Sequence, residues 1–251
     1  MLINKKNYKL YQGDCLEIMN KLIEEGIKVD MVLADPPYAT TKCKWDTIIP
    51  FNEMWKRLNK LTRSDSAIAL FGAEPFASAL RVSNIENYKY NWYWKKTTVS
   101  GFANAKKMPL KDIETISIFY EKLPTYNPQG LIKIEAKTKK NSKTHTTREK
   151  KGITALNGGR FKGEYTQEYT NYPRQILEFA SEKGLHLTQK PVPLLEYLIK
   201  TYTNEGDLVL DFTMGSGSTG AACLNTNRRF IGIELDEKYF NTAKDRLENI
   251  K

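Results

Sequence analysis

Short apolar runs alternate with segments of helical periodicity over most of this chain, and this alternation constrains the fold most. The run Val29–Ala34 is typical of a buried strand. Asp14 is a good helix N-cap, and the residues that follow it place apolar side chains at helical spacing until Gly26. We expect further strands near 8–12, 67–71, 88–95, 115–120, 208–212 and 230–234, and further helices near 54–61, 193–202, 218–225 and 236–250, with another helix beginning at Glu74-Pro75. This order predicts an α/β fold, a mostly parallel sheet with helices on both faces.

The pattern is interrupted once, by a polar and basic segment that we assign to residues 122–184. Ten basic residues and only two acidic ones lie between Lys133 and Lys162, so this window carries +8 of the net charge of +10. Such a local excess indicates a polyanionic partner. We therefore expect a basic inserted region at 122–184 between two halves of one domain, 1–121 and 185–251.

The composition favours a reducing compartment. No run approaches the roughly 18 apolar residues that span a bilayer, and the first residues have no signal-peptide core. The three cysteines, Cys15, Cys43 and Cys223, are widely spaced and form no Cys-x-x-Cys pair. We expect a cytoplasmic protein without a disulfide framework, a bound metal or a membrane partner.

The strand at 29–34 ends in Asp35-Pro36-Pro37-Tyr38. A carboxylate acceptor, a rigid proline turn and an aromatic ring together suit a planar amine such as a nucleobase. The same residues also suit an ordinary strand-ending turn, so the motif by itself leaves both interpretations open.

A second motif joins a strand to a helix at Asp211-Phe212-Thr213-Met214-Gly215-Ser216-Gly217-Ser218-Thr219-Gly220. The next strand ends in Glu234, 19 residues beyond Gly215, where an acid can accept hydrogen bonds from ribose hydroxyls. Asp211 is a poor neighbour for a pyrophosphate but suits a cofactor with a positive centre. The pattern therefore favours S-adenosylmethionine over a nicotinamide dinucleotide.

With these motifs in view, the chain resembles the DNA amino-methyltransferases, which methylate exocyclic amines of adenine or cytosine. Asp35-Pro36-Pro37-Tyr38 resembles their catalytic tetrapeptide, and Asp211–Thr219 their cofactor loop. The resemblance extends to Gly13-Asp14-Cys15, to Ile231-Gly232-Ile233-Glu234 and to His186-Leu187-Thr188-Gln189-Lys190-Pro191, and so covers nearly the whole chain.

The order of the motifs resembles the beta group of this family, whose sheet is circularly permuted. Aspartate at the first tetrapeptide position implies adenine-specific action, at N6. The short length and the stretch Phe71–Phe76 resemble prophage-type or restriction-modification members.

The resemblance implies roles for individual residues. Asp35 and the Pro36 carbonyl would accept the two protons of a flipped adenine amine, with Pro37 completing the turn and Tyr38 stacking on the base. Lys190 would pair with the cofactor's carboxylate. The expected cofactor-binding residues are Asp14, Cys15, Asp35, Lys190, Asp211, Thr213, Gly215, Ser216, Gly217, Ser218, Thr219 and Glu234.

The resemblance also implies partners. The basic insert would be the target-recognition region for double-stranded DNA, with Arg148, Asn157, Arg160, Gln167 or Arg174 reading bases. Trp45 could line a base-flipping loop. His186 could contact the cofactor or could equally have a structural or capping role. A homodimer and a cognate restriction endonuclease are further expected partners, in the nucleoid of a bacterial or phage-infected cell.

Other functions remain open at this point. The chain could methylate the N4 amine of cytosine, or RNA, or could be a catalytically idle DNA-binding protein on the same scaffold. A nicotinamide dehydrogenase is disfavoured by Asp211. A carbon-5 cytosine methyltransferase is disfavoured because no cysteine follows a proline.

Overall fold

The computed structural model describes residues 1–39, 47–140, 164–182 and 189–250. The chain divides into two compact units, one made of Met1–Asn127 with Arg174–Lys251 and one of Pro128–Pro173. The strands are β1 Leu2–Asn4, β2 Tyr8–Gln12, β3 Val29–Ala34, β4 Thr62–Gly72, β5 Tyr88–Ser100, β6 Lys111–Phe119, β7 Ile132–Lys140, β8 Glu164–Thr170, β9 Ile176–Phe179, β10 Leu208–Asp211 and β11 Arg229–Glu234. The helices are α1 Cys15–Glu24, α2 Phe51–Leu61, α3 Phe76–Val82, α4 Val192–Tyr202, α5 Ser218–Asn225 and α6 Glu237–Glu248.

The larger unit is built on one sheet with the strand order β1-β2-β11-β10-β3-β4-β6-β5-β9. Neighbouring strands from β2 to β4 are parallel, and β5 and β9 are parallel to each other. The strands β1 and β6 run against their neighbours. The predicted α/β class with a mainly parallel sheet is thereby confirmed.

Helices cover both faces of this sheet because successive strand residues point to opposite sides. In β3, Met31 and Leu33 pack into the cluster that contains the buried side chains of α4, α5 and α6. Val32 and Ala34 pack into the opposite cluster, with α1, α2 and α3.

The strands β3 and β10 are neighbours, but the chain continues from β3 to β4 on one side of this pair and from β10 to β11 on the other side. The connection through α2 leads from β3 to β4, and that through α5 leads from β10 to β11 on the other face. A crevice therefore opens outside the carboxyl ends of β3 and β10, where open parallel sheets bind their ligands.

The smaller unit contains the antiparallel pair β7–β8, in register from Ile132↔Thr170 to Lys140↔Glu164 with one irregularity. Its end is fastened by the Asn171 side-chain amide, which donates to the Gly130 carbonyl at 2.7 Å. This unit, 128–173, lies inside the predicted insert 122–184. Residues 176–179 instead form β9, which pairs with β5 of the main sheet.

Three strands differ from the predicted ones. The edge strand β1 is short and largely exposed, so it has no apolar signal. The strands β5 and β6 extend beyond the predicted 88–95 and 115–120, into an exposed hairpin. None of the helices in the described part of the chain has the length and apolarity required to cross a bilayer.

Candidate active site

A cavity of about 520 Å³ lies at the carboxyl edge of the sheet. The ends of β2, β3, β10 and β11 all reach it, because these strands are parallel neighbours. The tetrapeptide after β3 and the loop after β10 are thus brought to one site from opposite parts of the chain. The predicted site residues on its wall are Asp14, Cys15, Asp35, Pro36, Pro37, Tyr38, Lys190, Asp211, Thr213, Gly215, Ser216, Ser218, Thr219 and Glu234.

Asp35 is held from two sides. The Tyr38 hydroxyl donates to Oδ1 of Asp35, and the Lys190 ammonium donates to Oδ2. The Tyr38 ring packs against Phe76 with 4.8 Å between ring centroids. The carboxylate is therefore fixed at the cavity wall and offers its remaining lone pairs to a ligand.

Lys190 is buried, and it belongs to a partly buried chain of alternating charges. Its ammonium also lies 3.3 Å from Glu114, whose other oxygen accepts from the Lys96 ammonium. Burial alone would lower the pKa of Lys190, but Asp35 and Glu114 raise it. Burial would likewise raise the pKa of Glu114, yet the two ammonium groups lower it. Lys190 and Glu114 are accordingly both charged at neutral pH.

Asp211 is buried beneath the cavity. Its Oδ1 accepts from the Thr213 backbone N–H at 3.0 Å and its Oδ2 from the Thr219 hydroxyl at 2.7 Å. Burial raises the pKa of Asp211 to about 7, with smaller contributions from the negative charges of Asp35 and Glu234. A cationic ligand would stabilise the ionised form.

Glu234, at the end of β11, forms hydrogen bonds to the segments that follow β10 and β2 on either side of it. Its Oε2 accepts from the Gly215 backbone N–H and its Oε1 from that of Asp236, both at 2.8 Å. The Gly13 N–H donates to the Glu234 backbone carbonyl at 2.9 Å. Burial raises the pKa of Glu234. This side chain is therefore placed rigidly between the β2 end and the glycine turn.

Asp14 is the N-cap residue of α1 as well as a residue of the cavity wall. Its carboxylate caps α1 by accepting from the backbone N–H groups of Leu16 at 2.8 Å and Glu17 at 3.1 Å. Next to it, burial raises the pKa of the Cys15 thiol to about 12, with the charge of Asp14 adding to the effect. The thiol is protonated at neutral pH and is a poor nucleophile.

The glycine turn has packing constraints as well as a cavity-facing side. Gly217 has a left-handed φ of +76°, and a Cβ there would lie 2.9 Å from the Cβ of Ala243 in α6. A Cβ on Gly220 would lie 2.7 Å from the Phe230 ring. Gly217, unlike its neighbours, is not among the described residues of the cavity wall. Ser218 is held by Arg246, whose Nη1 donates to its Oγ at 2.9 Å.

Several wall residues were not predicted from the sequence. They include Glu114, an acid inside an apolar strand that could have signalled a buried partner. Gln189 and Ala73 lie in stretches that carry the resemblance, but no role was predicted for them. The others come from loops and helices with no motif: Leu16, Thr47, Ile48, Ile49, Pro50, Leu195, Leu235 and Tyr239.

Some predicted residues lie elsewhere or outside the described ranges. Gln167 is on β8, where its amide donates to the Tyr169 carbonyl at 3.1 Å. Arg174 is exposed just before β9. Cys43, Trp45, Arg148, Asn157, Arg160 and His186 lie outside the described residues.

The charges of the wall restrict its ligand. The described lining contains five carboxylates (Asp14, Asp35, Glu114, Asp211 and Glu234) and one ammonium, Lys190. An anionic ligand such as a pyrophosphate would be repelled, whereas a ligand with positive centres would be attracted. No group of three or more His, Cys, Asp or Glu in the described ranges could hold a metal ion.

Comparison with known proteins agrees with this geometry. M1.MboII of Moraxella bovis, a Type II methyltransferase, is 29% identical over 94% of each chain. The DNA adenine methyltransferase YhdJ of Escherichia coli strain K12 is 28% identical, over 95% of this chain and 82% of YhdJ. The crystal structure of the M1.HpyAVI–SAM complex is 28% identical, with a TM-score of 0.66, and the match covers 96% of this chain and 100% of that one. The DNA methylase family matches residues 29–245, and the chain belongs to that family.

Proposed function

We propose that this protein transfers a methyl group from S-adenosylmethionine to the exocyclic N6 amine of a flipped adenine in duplex DNA. One observation carries the proposal: the fixed Asp35 carboxylate, the buried Asp211 carboxylate and the half-buried Glu234 carboxylate line the same cavity. An acceptor for an amine thus shares a wall with acids that favour a cationic cofactor.

The cofactor fits the charges of the site. When bound, S-adenosylmethionine supplies an activated methyl group on a sulfonium, and it also carries an ammonium. Asp211 and Glu234 would favour these positive centres and the ribose hydroxyls, respectively. The pyrophosphate of a nicotinamide dinucleotide would meet five carboxylates, which argues against the dehydrogenase alternative.

The target amine fits the tetrapeptide. Its lone pair is delocalised into the base ring, so it needs acceptors that draw its protons out of the ring plane. Asp35 and the Pro36 carbonyl would be these acceptors, and Tyr38 both positions Asp35 and offers its ring to the base. Positioning and fixed charges then supply most of the rate without a covalent enzyme intermediate.

Adenine is the favoured base over cytosine. An aspartate stands first in the tetrapeptide, as the resemblance to adenine-specific enzymes implies, and the relative YhdJ is named a DNA adenine methyltransferase. The unit 128–173 is basic and would read the target sequence within the recognition region 122–184.

The cellular setting is part of the proposal. The relative M1.MboII is named a Type II methyltransferase, which favours a restriction-modification role in the cytoplasm, close to the nucleoid. The homodimer and the cognate endonuclease stay predictions. Sedimentation and co-purification from the source cell would test them.

Methylation-sensitive sequencing of plasmid DNA tests the function directly. DNA from cells that express the protein should contain N6-methyladenine at one short sequence, and DNA from cells that express Asp35→Ala should not. N4-methylcytosine at that sequence would show that the target base is cytosine and not adenine. DNA without either base, together with a wild-type protein that binds no S-adenosylmethionine in titration calorimetry, would overturn the proposal.

A further inference from the structure

The hairpin between β5 and β6 stands above the cavity. Thr115 of β6 pairs with Gly72, the last residue of β4, so the residues before Thr115 extend beyond the carboxyl edge of the sheet. Glu114 still lines the cavity, and Lys111 lies three residues further out, about 10 Å at the strand rise of 3.2–3.4 Å per residue. The segment 95–111, here called the hairpin tip, thus projects past the site.

The hairpin tip is ordered by its own backbone. Gly101 takes a left-handed φ of +93°, which starts a short 3₁₀ turn at Phe102–Asn104. The Gly101 carbonyl then accepts from the Asn104 N–H at 2.9 Å, and that of Asn104 from the Lys107 N–H at 2.8 Å. These bonds fix the tip although its side chains point into solvent.

The charge of the tip is of one sign. It contains five lysines and no carboxylate, and the first acid after it is Asp112. Lys95 pairs with Glu178 and Lys96 with Glu114. Lys106, Lys107 and Lys111 are exposed, and within the described residues no carboxylate lies within ion-pair distance of them.

Apolar side chains stand among these lysines. Phe102 is 67% exposed, Met108 50% and Val99 41%. Apolar side chains exposed beside cationic ones are typical of surfaces that contact the stacked bases and the phosphates of DNA together.

We propose that the hairpin tip contacts duplex DNA next to the extruded base, with Lys106, Lys107 and Lys111 on phosphates and Phe102 against the base stack. The proposal rests on the proposed function and adds a contact outside the recognition unit 128–173. A second copy of this chain is a less favourable occupant of this surface, because the two copies of the hairpin tip, each with five lysines and no carboxylate, would repel each other in a symmetric contact.

Salt-dependent DNA binding tests the lysines. The triple variant Lys106→Ala, Lys107→Ala, Lys111→Ala should bind a non-specific duplex about 10- to 100-fold more weakly at 0.1 M salt, and its log–log salt slope should fall by about 2 to 3. The matched control removes three exposed lysines from the opposite edge of the sheet, as Lys6→Ala, Lys21→Ala, Lys60→Ala. If the triple variant and the control variant show the same dependence of DNA affinity on salt, the proposed lysine contacts are wrong.

Methylation of two duplexes tests Phe102. Each duplex would contain the target sequence that methylation-sensitive sequencing has identified. In one duplex the target adenine is paired with thymine, and in the other it lies opposite an abasic site. Phe102→Ala should slow methylation of the paired duplex by about 10-fold and should affect the unpaired one much less, because less unstacking is needed there. The control is Val82→Ala on α3, where the side chain is 72% exposed. Equal effects of Phe102→Ala on both duplexes, or none on either, would overturn the stacking contact.

Two measurements separate this proposal from its alternatives. A hairpin-tip variant that sediments as a smaller species, with unchanged DNA affinity, would assign the tip to a second copy and overturn the proposal. If the hairpin proposal alone fails, the wild type still binds S-adenosylmethionine and methylates DNA. If the proposed function fails, the wild type does neither.

Discussion

Asp35 is a fixed acceptor because the Tyr38 hydroxyl and the Lys190 ammonium each hold one of its oxygens. A carboxylate oxygen has two lone pairs, so one on each oxygen is left for an incoming amine. The orientation of that acceptor is set before a ligand arrives, which is the condition for electrostatic preorganisation.

Replacing Asp35 by alanine should lower the methyl-transfer rate by about 100- to 1,000-fold, the range seen when one fixed transition-state partner is removed. Cofactor affinity should change little, because Asp211 and Glu234 remain. Single-turnover methylation and titration calorimetry measure the two quantities. Retained activity in Asp35→Ala would contradict the role of this acceptor.

The Lys190→Met variant should be strongly destabilised, since it leaves two carboxylates, Asp35 and Glu114, close together without their shared cation. Breaking a buried pair in this way typically costs about 3–5 kcal/mol. Chemical denaturation measures the loss. The control Lys200→Met breaks an exposed pair with Glu196, at 3.8 Å, and should change stability by less than about 1 kcal/mol. Similar losses in both variants would mean that the partly buried chain of charges does not support the fold.

Asp211 should make the ligand-free protein less stable as the pH rises. Its pKa is about 7 in the folded protein and ordinarily 3.8. The folded state therefore holds a proton that the unfolded state loses, and this stabilisation is full below about pH 4 and is lost as the pH rises through 7. Denaturation of wild type and Asp211→Asn between pH 5 and 8 measures it. The stability difference between the two should change across this range in favour of the variant; a constant difference would exclude a buried titrating Asp211.

At the scale of elements, the turn from β10 to α5 lines the cavity and is also constrained by packing. Gly220 allows Phe230 and Leu247 to approach α5, and Gly217 allows Ala243 to do so. Packing therefore accounts for Gly217 and Gly220, whereas Gly215 lies on the cavity wall. The sequence could not separate the two reasons, because both require the absence of a Cβ.

The helix α1 offers a test of what Asp14 does. Asp14→Ala removes the cap and should cost about 1 kcal/mol, or about 2–4 °C in Tm for a chain of this size. Asp14→Ser keeps a capping oxygen and should retain most of the stability. Calorimetric melting and cofactor titration of both variants distinguish the roles. If Asp14→Ser is stable but binds the cofactor weakly, the carboxylate has a ligand role beyond the cap.

At the scale of the whole molecule, the residues of the cavity wall all belong to the larger unit. Replacing 128–173 by a flexible linker should therefore leave S-adenosylmethionine binding within about threefold of wild type while abolishing site-specific methylation. Calorimetry and plasmid sequencing measure the two. Methylation of the original sequence by the shortened chain would show that another surface reads the DNA.

Much of the fold was predictable because its signals are local. Helical periodicity located α1, α4, α5 and α6 within one or two residues, and the family prediction was confirmed. The exposed hairpin tip and β1 were missed because an exposed strand has no apolar run to reveal it.

The sequence by itself determined that Asp35, Asp211 and Glu234 lie at strand ends, because the apolar runs and the turn residues that mark a strand end are adjacent in the sequence. Only the tertiary structure decided that Lys190 pairs with Asp35, 155 residues away, and that Glu114 lies behind it. That pairing depends on β3 lying between β10 and β4, with β6 next to β4. The order of the strands is set by the burial of both faces of the sheet at once, so it cannot be predicted from a local sequence pattern.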